Sequence, residues 1–395
     1  MSVESEILRK YSLCERCLNR LITGRSGGDL GGAGPQVNTR QGNICVLCRD
    51  RLNDEVMEEV VERALRVLEY FEFETFVVGA LVPKYIKAIE EQLISEFELT
   101  RAESVKKAIV RSIGRRISEV LNRPVKFINP DLVIHVDIYT GNVYVQPSHV
   151  YIYGRYLKKS GGISHTPLYC WKCWGSGCEV CGYKGRFLER SVAEMVGLPA
   201  QRLLGALGYK FHAAGREDVD ARVEGEGRPF IVELISPRYR RLDTVLYAEE
   251  VRTLSGGDVE VKDVVVSNRS SLRVLKERYE RSTKHYSVVV EFDREIDDEA
   301  LSRLISTLSG SVVEQRTPMR VLRRRPDRIR HKRVHGLSVR RVGQNQLEFD
   351  VVCDAGLYVK ELIHGDNGRT VPSVSEILGT KPLRIELTVI GLRGE

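Results

Sequence analysis

Apolar residues recur every three to four positions from Asn53 to Phe71, where Val56, Val60, Val61, Ala64, Leu65 and Leu68 fall on one side. That spacing predicts an amphipathic helix. The same reasoning predicts helices over Val82 to Phe97 and over Ala102 to Leu121, the latter with Ala108, Ile109, Ile113, Ile117 and Val120 in one stripe. The period then changes to two. Leu132, Ile134, Val136 and Ile138 alternate with Val133, His135 and Asp137, Thr140-Gly141-Asn142 supplies a turn, and Val143 and Val145 resume, so a β-hairpin is expected. His135, alone on its strand, reads as a packed or surface histidine rather than a ligand.

The second half repeats shorter apolar segments. A helix is expected from Ser191 to Leu207 and a strand over Ser287-Val-Val-Val-Glu-Phe292, entered through Lys284-His285-Tyr286. Between them, charges crowd into Gly215-Arg216-Glu217-Asp218-Val219-Asp220-Ala221-Arg222, followed by Gly225-Glu226-Gly227-Arg228-Pro229-Phe230 and the run Ile231-Val232-Glu233-Leu234-Ile235. The run reads as a buried strand, so Asp218 is expected on a rigid edge facing a cleft, a place suited to a catalytic carboxylate. The fold class is therefore α+β or α/β, with a mixed sheet flanked by helices in the C-terminal part.

The 395 residues suggest two or three domains with ample core. Hydrophobic residues at 42% and charged ones at 29% describe a soluble globular chain, and no apolar stretch approaches the roughly 20 residues of a membrane span. Met1 to Lys10 is charged and has no apolar signal core, so a cytoplasmic protein is expected, and nothing demands more than a monomer. The formal charge of +7 is concentrated between Arg316 and Arg341, where Arg320, Arg323, Arg324, Arg325, Arg328, Arg330, Lys332, Arg333 and Arg340 meet a single acid, Asp327. Such a run can simply protect a sheet edge from aggregation. Its one-sidedness favours phosphate contacts, and hence RNA.

Eight of the nine cysteines fall into four Cys-x-x-Cys knuckles: Cys14 with Cys17, Cys45 with Cys48, Cys170 with Cys173, and Cys178 with Cys181. Two intervening residues let both thiolates wrap one tetrahedral ion, and two knuckles close a structural zinc site with no position open for water. Two such zinc sites are expected, with Cys353 left over. The Gly-rich stretch from Gly24 to Gly42 joins the first pair of knuckles and lacks the Gly-Lys-Ser/Thr ending of a nucleotide loop.

The words Gly-Arg-Glu-Asp-Val-Asp and Gly-Arg-Pro-Phe, read in order, resemble the catalytic signature of the archaeal-type tRNA pseudouridine synthases of T-arm positions 54 and 55, a THUMP- and zinc-containing family shared with eukaryotes. The resemblance implies four segments: zinc knuckles at 1–52, a THUMP-like RNA-binding module at 53–157, a linker with the second zinc ribbon at 158–186, and a catalytic domain at 187–395. It implies Asp218 as the catalytic aspartate and Tyr286 as the aromatic that stacks on the target uracil. In Ala355-Gly356-Leu357-Tyr358-Val359-Lys360-Glu361-Leu362-Ile363-His364-Gly365-Asp366-Asn367-Gly368-Arg369-Thr370 it implies Tyr358 as a second substrate contact, Lys360 as the cation paired with the aspartate, and Leu362 as an apolar floor. Arg216 is a candidate for the flipped nucleotide's phosphate. Asp366 reads as a residue of an ordinary Gly-Asp-Asn-Gly turn, and His364 as a weak acid/base candidate, since the resemblance implies no catalytic histidine.

Tyr151-Ile-Tyr153-Gly-Arg155-Tyr156-Leu-Lys158-Lys159 resembles the family's linking segment. Its tyrosines and cations could contact RNA or could equally belong to a β-edge. His165 stands where that family carries glutamine.

Pseudouridine formation breaks the C1′–N1 bond, turns the base and joins C5 to C1′. It needs an ionised carboxylate at the sugar–base junction and no organic cofactor. Whether Asp218 attacks the sugar or removes a sugar proton stays open. The competing readings are a non-catalytic zinc-containing tRNA-binding adaptor and a methyltransferase, for which Gly205-Ala-Leu-Gly208 is a weak methyl-donor turn.

Overall fold

A computed structural model describes residues 2–24, 44–322 and 325–393. Of the Gly-rich stretch, all but Gly24 lies outside these residues, as do Arg323 and Arg324. The chain divides into two compact units, one of residues 1–149 with 235–240 and the other of residues 150–234 with 241–395.

The first unit opens with helices α1 (Val3–Lys10) and α2 (Glu15–Thr23), followed by α3 (Asp54–Leu68), strand β1 (Phe76–Ala80), helices α4 (Lys84–Glu96) and α5 (Val105–Leu121), and strands β2 (Leu132–Asp137) and β3 (Asn142–Pro147). Helix α3 begins where the Asn53 side chain accepts from the Val56 amide at 2.8 Å, and its acidic first turn suits the helix dipole. It buries Met57, Val60, Val61, Ala64 and Leu68. Helix α5 buries Ala108, Ile109, Ile113 and Ile117, but Val120 at its end is exposed, because the helix runs past the sheet it covers. β2 and β3 form the expected hairpin, with Asp137 Oδ1 accepting from the Tyr139 amide at 2.9 Å inside the turn. The strand not anticipated is β1. It is short and interrupted by Gly79, and it pairs parallel to β2 across the crossover of α4 and α5.

The second unit contains β4 (Val150–Lys158), α6 (Val192–Leu203), β5 (Gly208–Ala213), β6 (Arg222–Ile235), α7 (Thr244–Ser255), β7 (Val259–Ser267), α8 (Ser270–Arg281), β8 (Thr283–Phe292), α9 (Asp298–Leu308), β9 (Val312–Arg316), β10 (Ile329–Arg341), β11 (Gln346–Asp354), α10 (Val359–His364), β12 (Thr370–Val371), α11 (Val374–Leu378) and β13 (Pro382–Arg393). Its strands form one mixed sheet in the order β12-β9-β10-β11-β8-β13-β6-β4-β7, with β5 also on β6. The β13–β6 pair is parallel and most others are antiparallel.

Two apolar clusters cover this sheet. One gathers Val288, Val290, Phe292 and Phe349 with Leu301 and Leu304 of α9 and Leu362 and Ile363 of α10. The other gathers Phe230, Val232 and Leu234 with Val192, Val196 and Ala200 of α6 and Tyr247 and Val251 of α7. β4 lies between β6 and β7, so it is an interior strand and not an edge. Tyr151, Tyr156 and Lys158 on it are buried, which removes them as RNA contacts.

Candidate active site and metal centres

Asp218 stands four residues before β6, whose residues 227–234 are all buried. The turn that carries it is held from behind by the segment after β4. Lys158 is fully buried, and its Nζ donates to the carbonyls of Ile163 at 2.8 Å, Asp218 at 3.1 Å and Val219 at 2.9 Å. Burial pushes its pKa down, and the charges of Glu217, Asp220 and Asp218 oppose that. The Gly162 amide donates to the Val219 carbonyl at 3.0 Å, and Gly162 takes a φ of +82° that favours glycine. A lysine read as a possible RNA contact is thus an internal clamp on the aspartate's own backbone.

Glu217, the neighbour of Asp218, points inward. Its Oε2 accepts from Tyr156 Oη at 2.7 Å, lies 3.3 Å from His165 Nδ1, and stands 3.1 Å from Arg228 Nε. All four side chains are buried. Burial by itself would push the Glu217 carboxyl up. Hydrogen bonding with His165 and the Arg228 charge outweigh it and bring it down to about 2. Arg228 also donates to the Ala214 carbonyl at 2.7 Å, tying the start of the loop to β6. With Glu217 turned in and Lys158 behind, Asp218 faces outward with its side chain about one-third exposed.

The cation against Asp218 is Arg320, not Lys360. Arg320 Nη1 lies 2.7 Å from Asp218 Oδ1, and its Nε lies 2.7 Å from Oε1 of Glu361, whose side chain is buried. Lys360 Nζ instead meets Asp220 Oδ2 at 2.5 Å, on the exposed side. The reason is geometric: on α10, successive side chains point about 100° apart, so Lys360 and Glu361 diverge, and the inward one recruits an arginine from another loop. That loop is stapled in place. The Met319 amide donates to Asp366 Oδ2 at 3.0 Å, and Arg369 donates to the Thr317 carbonyl through Nη2 at 2.7 Å. The Gly-Asp-Asn-Gly turn, with Asp366 and Asn367 both at positive φ, therefore positions the Arg320 loop.

Tyr358 caps α10 and is fixed by Gln315. Its amide donates to Gln315 Oε1 at 2.8 Å, and Gln315 Nε2 donates to its carbonyl at 2.9 Å. Its hydroxyl accepts from Arg325 Nη1 at 3.2 Å, and the Arg320 guanidinium lies 6.0 Å from its ring centre. Tyr286 on β8 is opposite Val389 of β13, which is opposite Val223 of β6. It therefore sits in the strand row that begins five residues after Asp218, two strands away, on the order of 10 Å. Arg216 is exposed beside Asp218. Leu362 has no exposed surface and belongs to the core beneath α10.

The basic run is less one-sided in space than in sequence. Arg316 and Arg369 flank Asp327, Arg340 pairs with Glu348, and Arg341 lies 2.8 Å from Asp298. Arg325, Arg328, Arg330 and Arg333 have no carboxylate within salt-bridge distance among the described residues. They are the arginines that the run leaves without an acidic partner.

Both cysteine quartets are assembled, each with its sulfurs within 4.8 Å of one another. A tetrahedral ion with metal–sulfur bonds of about 2.3 Å requires sulfur separations of about 3.8 Å. Cys170 to Cys178 and Cys173 to Cys181 are both 3.8 Å, and Cys14 to Cys48 is 3.5 Å. The amides of Gly177 and Gly185 donate to Cys173 Sγ and Cys181 Sγ at 3.3 and 3.2 Å, the donors that stabilise thiolates in a metal knuckle. The residues fit a four-thiolate metal ion in each place.

The domain profiles define a two-module class of protein, with one match described as the archaeal Pus10 THUMP domain over residues 60–137 and another as the Pus10 C-terminal domain over residues 151–392. The chain belongs to the Pus10 family. It is 39% identical over 352 residues to the tRNA pseudouridine synthase Pus10 of Korarchaeum cryptofilum, covering 89% of this chain and 94% of that one. It is 38% identical over 350 residues to the protein of the same name from Methanothrix thermoacetophila, covering 89% and 77%. A crystal structure of a pseudouridylate synthase aligns with a TM-score of 0.25 at 11% identity, over 77% of this chain and 87% of that one, too low to carry an argument.

Sequence reasoning missed Arg320, Lys158, Gln315 and the inward role of Glu217. Glu217 and Arg228 lay inside the two motif words, and a charged residue next to a motif aspartate but before a buried strand was their available signal. Nothing in the sequence distinguishes Arg320 from its basic neighbours.

Proposed function

We propose that this chain is a tRNA pseudouridine synthase that isomerises uridine at position 54, position 55 or both in the T arm, with Asp218 as the carboxylate acting on a flipped-out base. The observation that carries the reading is the placement of Asp218: outward-facing at a strand entry, its backbone clamped by Lys158, its neighbour Glu217 locked inward, and a cation at 2.7 Å.

Arg320 supplies the countercharge that an ionised nucleophile or base needs, and its bridge to Glu361 fixes the guanidinium before substrate arrives. Tyr286 offers a stacking face for the uracil, and Tyr358, with its ring beside Arg320, a second contact. Arg216, exposed beside Asp218, is suited to a phosphate flanking the flipped nucleotide, Lys360 holds Asp220 at the edge of the site, and Leu362 supports the site from the core below. Flipping costs a few kcal/mol, which base stacking and phosphate contacts from unpaired arginines such as Arg325, beside Tyr358, offset.

Each quartet holds one zinc ion in this reading, and with four thiolates per ion the metal supplies folding stability and no open coordination position. Free thiols gathered in knuckles suit a reducing cytoplasm. In this reading the protein acts as a monomer. No helix among the described residues is long and apolar enough to cross a membrane.

The test is tritium release from a tRNA transcript labelled at C5 of its uridines, because forming the C5–C1′ bond expels that hydrogen. Wild type should release tritium, and Asp218→Asn should release none while binding tRNA normally. Near-normal release by the variant would remove Asp218 from its role. Tight binding without release by wild type would favour the adaptor reading.

A further inference from the structure

The chain contains two tryptophans, Trp171 and Trp174, and both stand on the second cysteine ribbon. They are 67% and 84% exposed, beside Tyr169 at 57% and Tyr183 at 73%. Large aromatics this exposed forfeit the burial that ordinarily keeps them in a core, and four of them within fifteen residues mark a contact surface.

Backbone conformation gives a second observation. Trp174 has φ +52° and Tyr183 φ +61°. These are left-handed conformations that disfavour a side-chain-bearing residue. Trp174 directly follows the second cysteine of its knuckle, and the matching position of the other knuckle is Gly182, at φ +58°. Glycine would fit there without strain, so the ribbon retains a bulky ring at the position least suited to one. Arg49, after Cys48, takes the same conformation at φ +54°, so the turn belongs to the knuckle, and what sets the ribbon apart is the exposed indole it carries there.

The charges among the rings identify the partner. Lys172, exposed between the two indoles, has no carboxylate within salt-bridge distance among the described residues, whereas Lys184 is paired with Glu189 at 2.6 Å and Arg186 with Glu194 at 2.9 Å, so Lys172 is the cation the ribbon offers beside its rings. Aromatic faces interleaved with cations match an unpaired nucleic-acid strand, in which bases stack and phosphates pair. An apolar protein partner would leave the lysines desolvated, and a duplex would present no base faces.

We propose that this ribbon is a second RNA-binding surface, one that stacks unpaired bases of the tRNA on Trp171 and Trp174 and holds the adjoining phosphates with Lys172. The proposal rests on the reading that tRNA is the substrate, and it adds a contact outside the Asp218 site.

Because the chain has no other tryptophan, emission excited at the red edge, where its tyrosines do not absorb, reports this surface alone. Titration of the metal-replete full chain with tRNA transcript should quench the emission, a short single-stranded RNA should quench it as well, and the same sequence as a duplex should not. Filter binding of Trp171→Ala and Trp174→Gly should show affinity for tRNA reduced roughly 5- to 150-fold per lost stack, with Trp171→Phe close to wild type. Since Trp174→Gly relieves a left-handed strain, its melting temperature should hold or rise while its affinity falls, which separates binding from folding. Unchanged emission with tRNA demonstrably bound by filter assay would overturn the proposal and leave the synthase reading intact. Equal quenching by duplex would replace base stacking with phosphate contact and also overturn it. Failure of tRNA to bind in either assay would instead strike at the substrate reading itself.

Discussion

At the scale of single residues, the site depends on which of several adjacent charges turns inward. Glu361 is buried and Lys360 is not, so the two cations near the aspartates are expected to behave differently when removed. Arg320→Ala leaves the Glu361 carboxylate buried without its cation and, because the Arg320 side chain is itself 40% exposed, should cost about 1–3 kcal/mol and lower the melting temperature together with turnover. Lys360→Ala breaks a pair whose acid is largely exposed, and should change stability by less than about 1 kcal/mol. Thermal melts of the two variants side by side check this, and the reverse order would restore Lys360 as the partner of Asp218.

Glu217 makes a second residue-scale prediction. Its carboxyl lies near 2 in the folded chain against a usual 4.5, so the folded state binds its proton less readily than the unfolded state does. It therefore adds stability above about pH 4.5, on the order of 3 kcal/mol, and that stability is lost as pH falls toward 2. Glu217→Gln should be less stable than wild type at neutral pH, with the two stability curves converging through that acid range. A gap that stays constant with pH would show that the effect is one of shape rather than charge.

At the scale of elements, the two cysteine quartets differ in what surrounds them. Cys17, Cys45 and Cys48 are fully buried and continue into the apolar core of Leu18, Leu21, Val60 and Ile109, whereas the second quartet closes a small ribbon with its own exposed face. Metal removal should therefore have unequal effects. A strong chelator should extract two zinc ions per chain, and loss of the first should expose core amides of residues 1–149 to hydrogen exchange. Loss of the second should expose chiefly residues 168–187. Metal analysis with peptide-resolved exchange would check both, and full protection throughout after complete chelation would argue that neither quartet is structural. The loop that carries Arg320 shows the complementary principle. It has little core of its own and owes its position to Asp366 and Arg369 in a turn some fifty residues away.

At the scale of the whole molecule, the second unit places the candidate site residues on different stretches of one sheet. Asp218 precedes β6, Tyr286 lies on β8, Tyr358 follows β11, and Arg320 comes from the β9–β10 connection. The sheet order β11-β8-β13-β6 brings these ends within a few strands of one another, although they span more than 140 residues of sequence. Periodicity made the helices and the β2–β3 hairpin legible, because burial on one face imposes a repeat of 3.6 or 2 that composition cannot hide. It left β1 unseen, since five residues of a short parallel strand carry too little pattern. Cysteine spacing and the motif words located both quartets and Asp218, because metal ligation within a knuckle and the entry to a buried strand are local matters.

Pairings across the fold were decided by tertiary structure alone. Which arginine meets Asp218, whether Lys158 faces RNA or a backbone carbonyl, and how far a basic run is neutralised by Asp298, Glu348 and Glu361 all depend on sheet order and on the direction of each side chain. Sequence by itself determined the periodic helices, the β2–β3 hairpin, the two cysteine quartets and the candidate carboxylate. Only the folded chain determined the partners of its charges, because a Coulomb interaction depends on distance in space and is indifferent to separation along the chain.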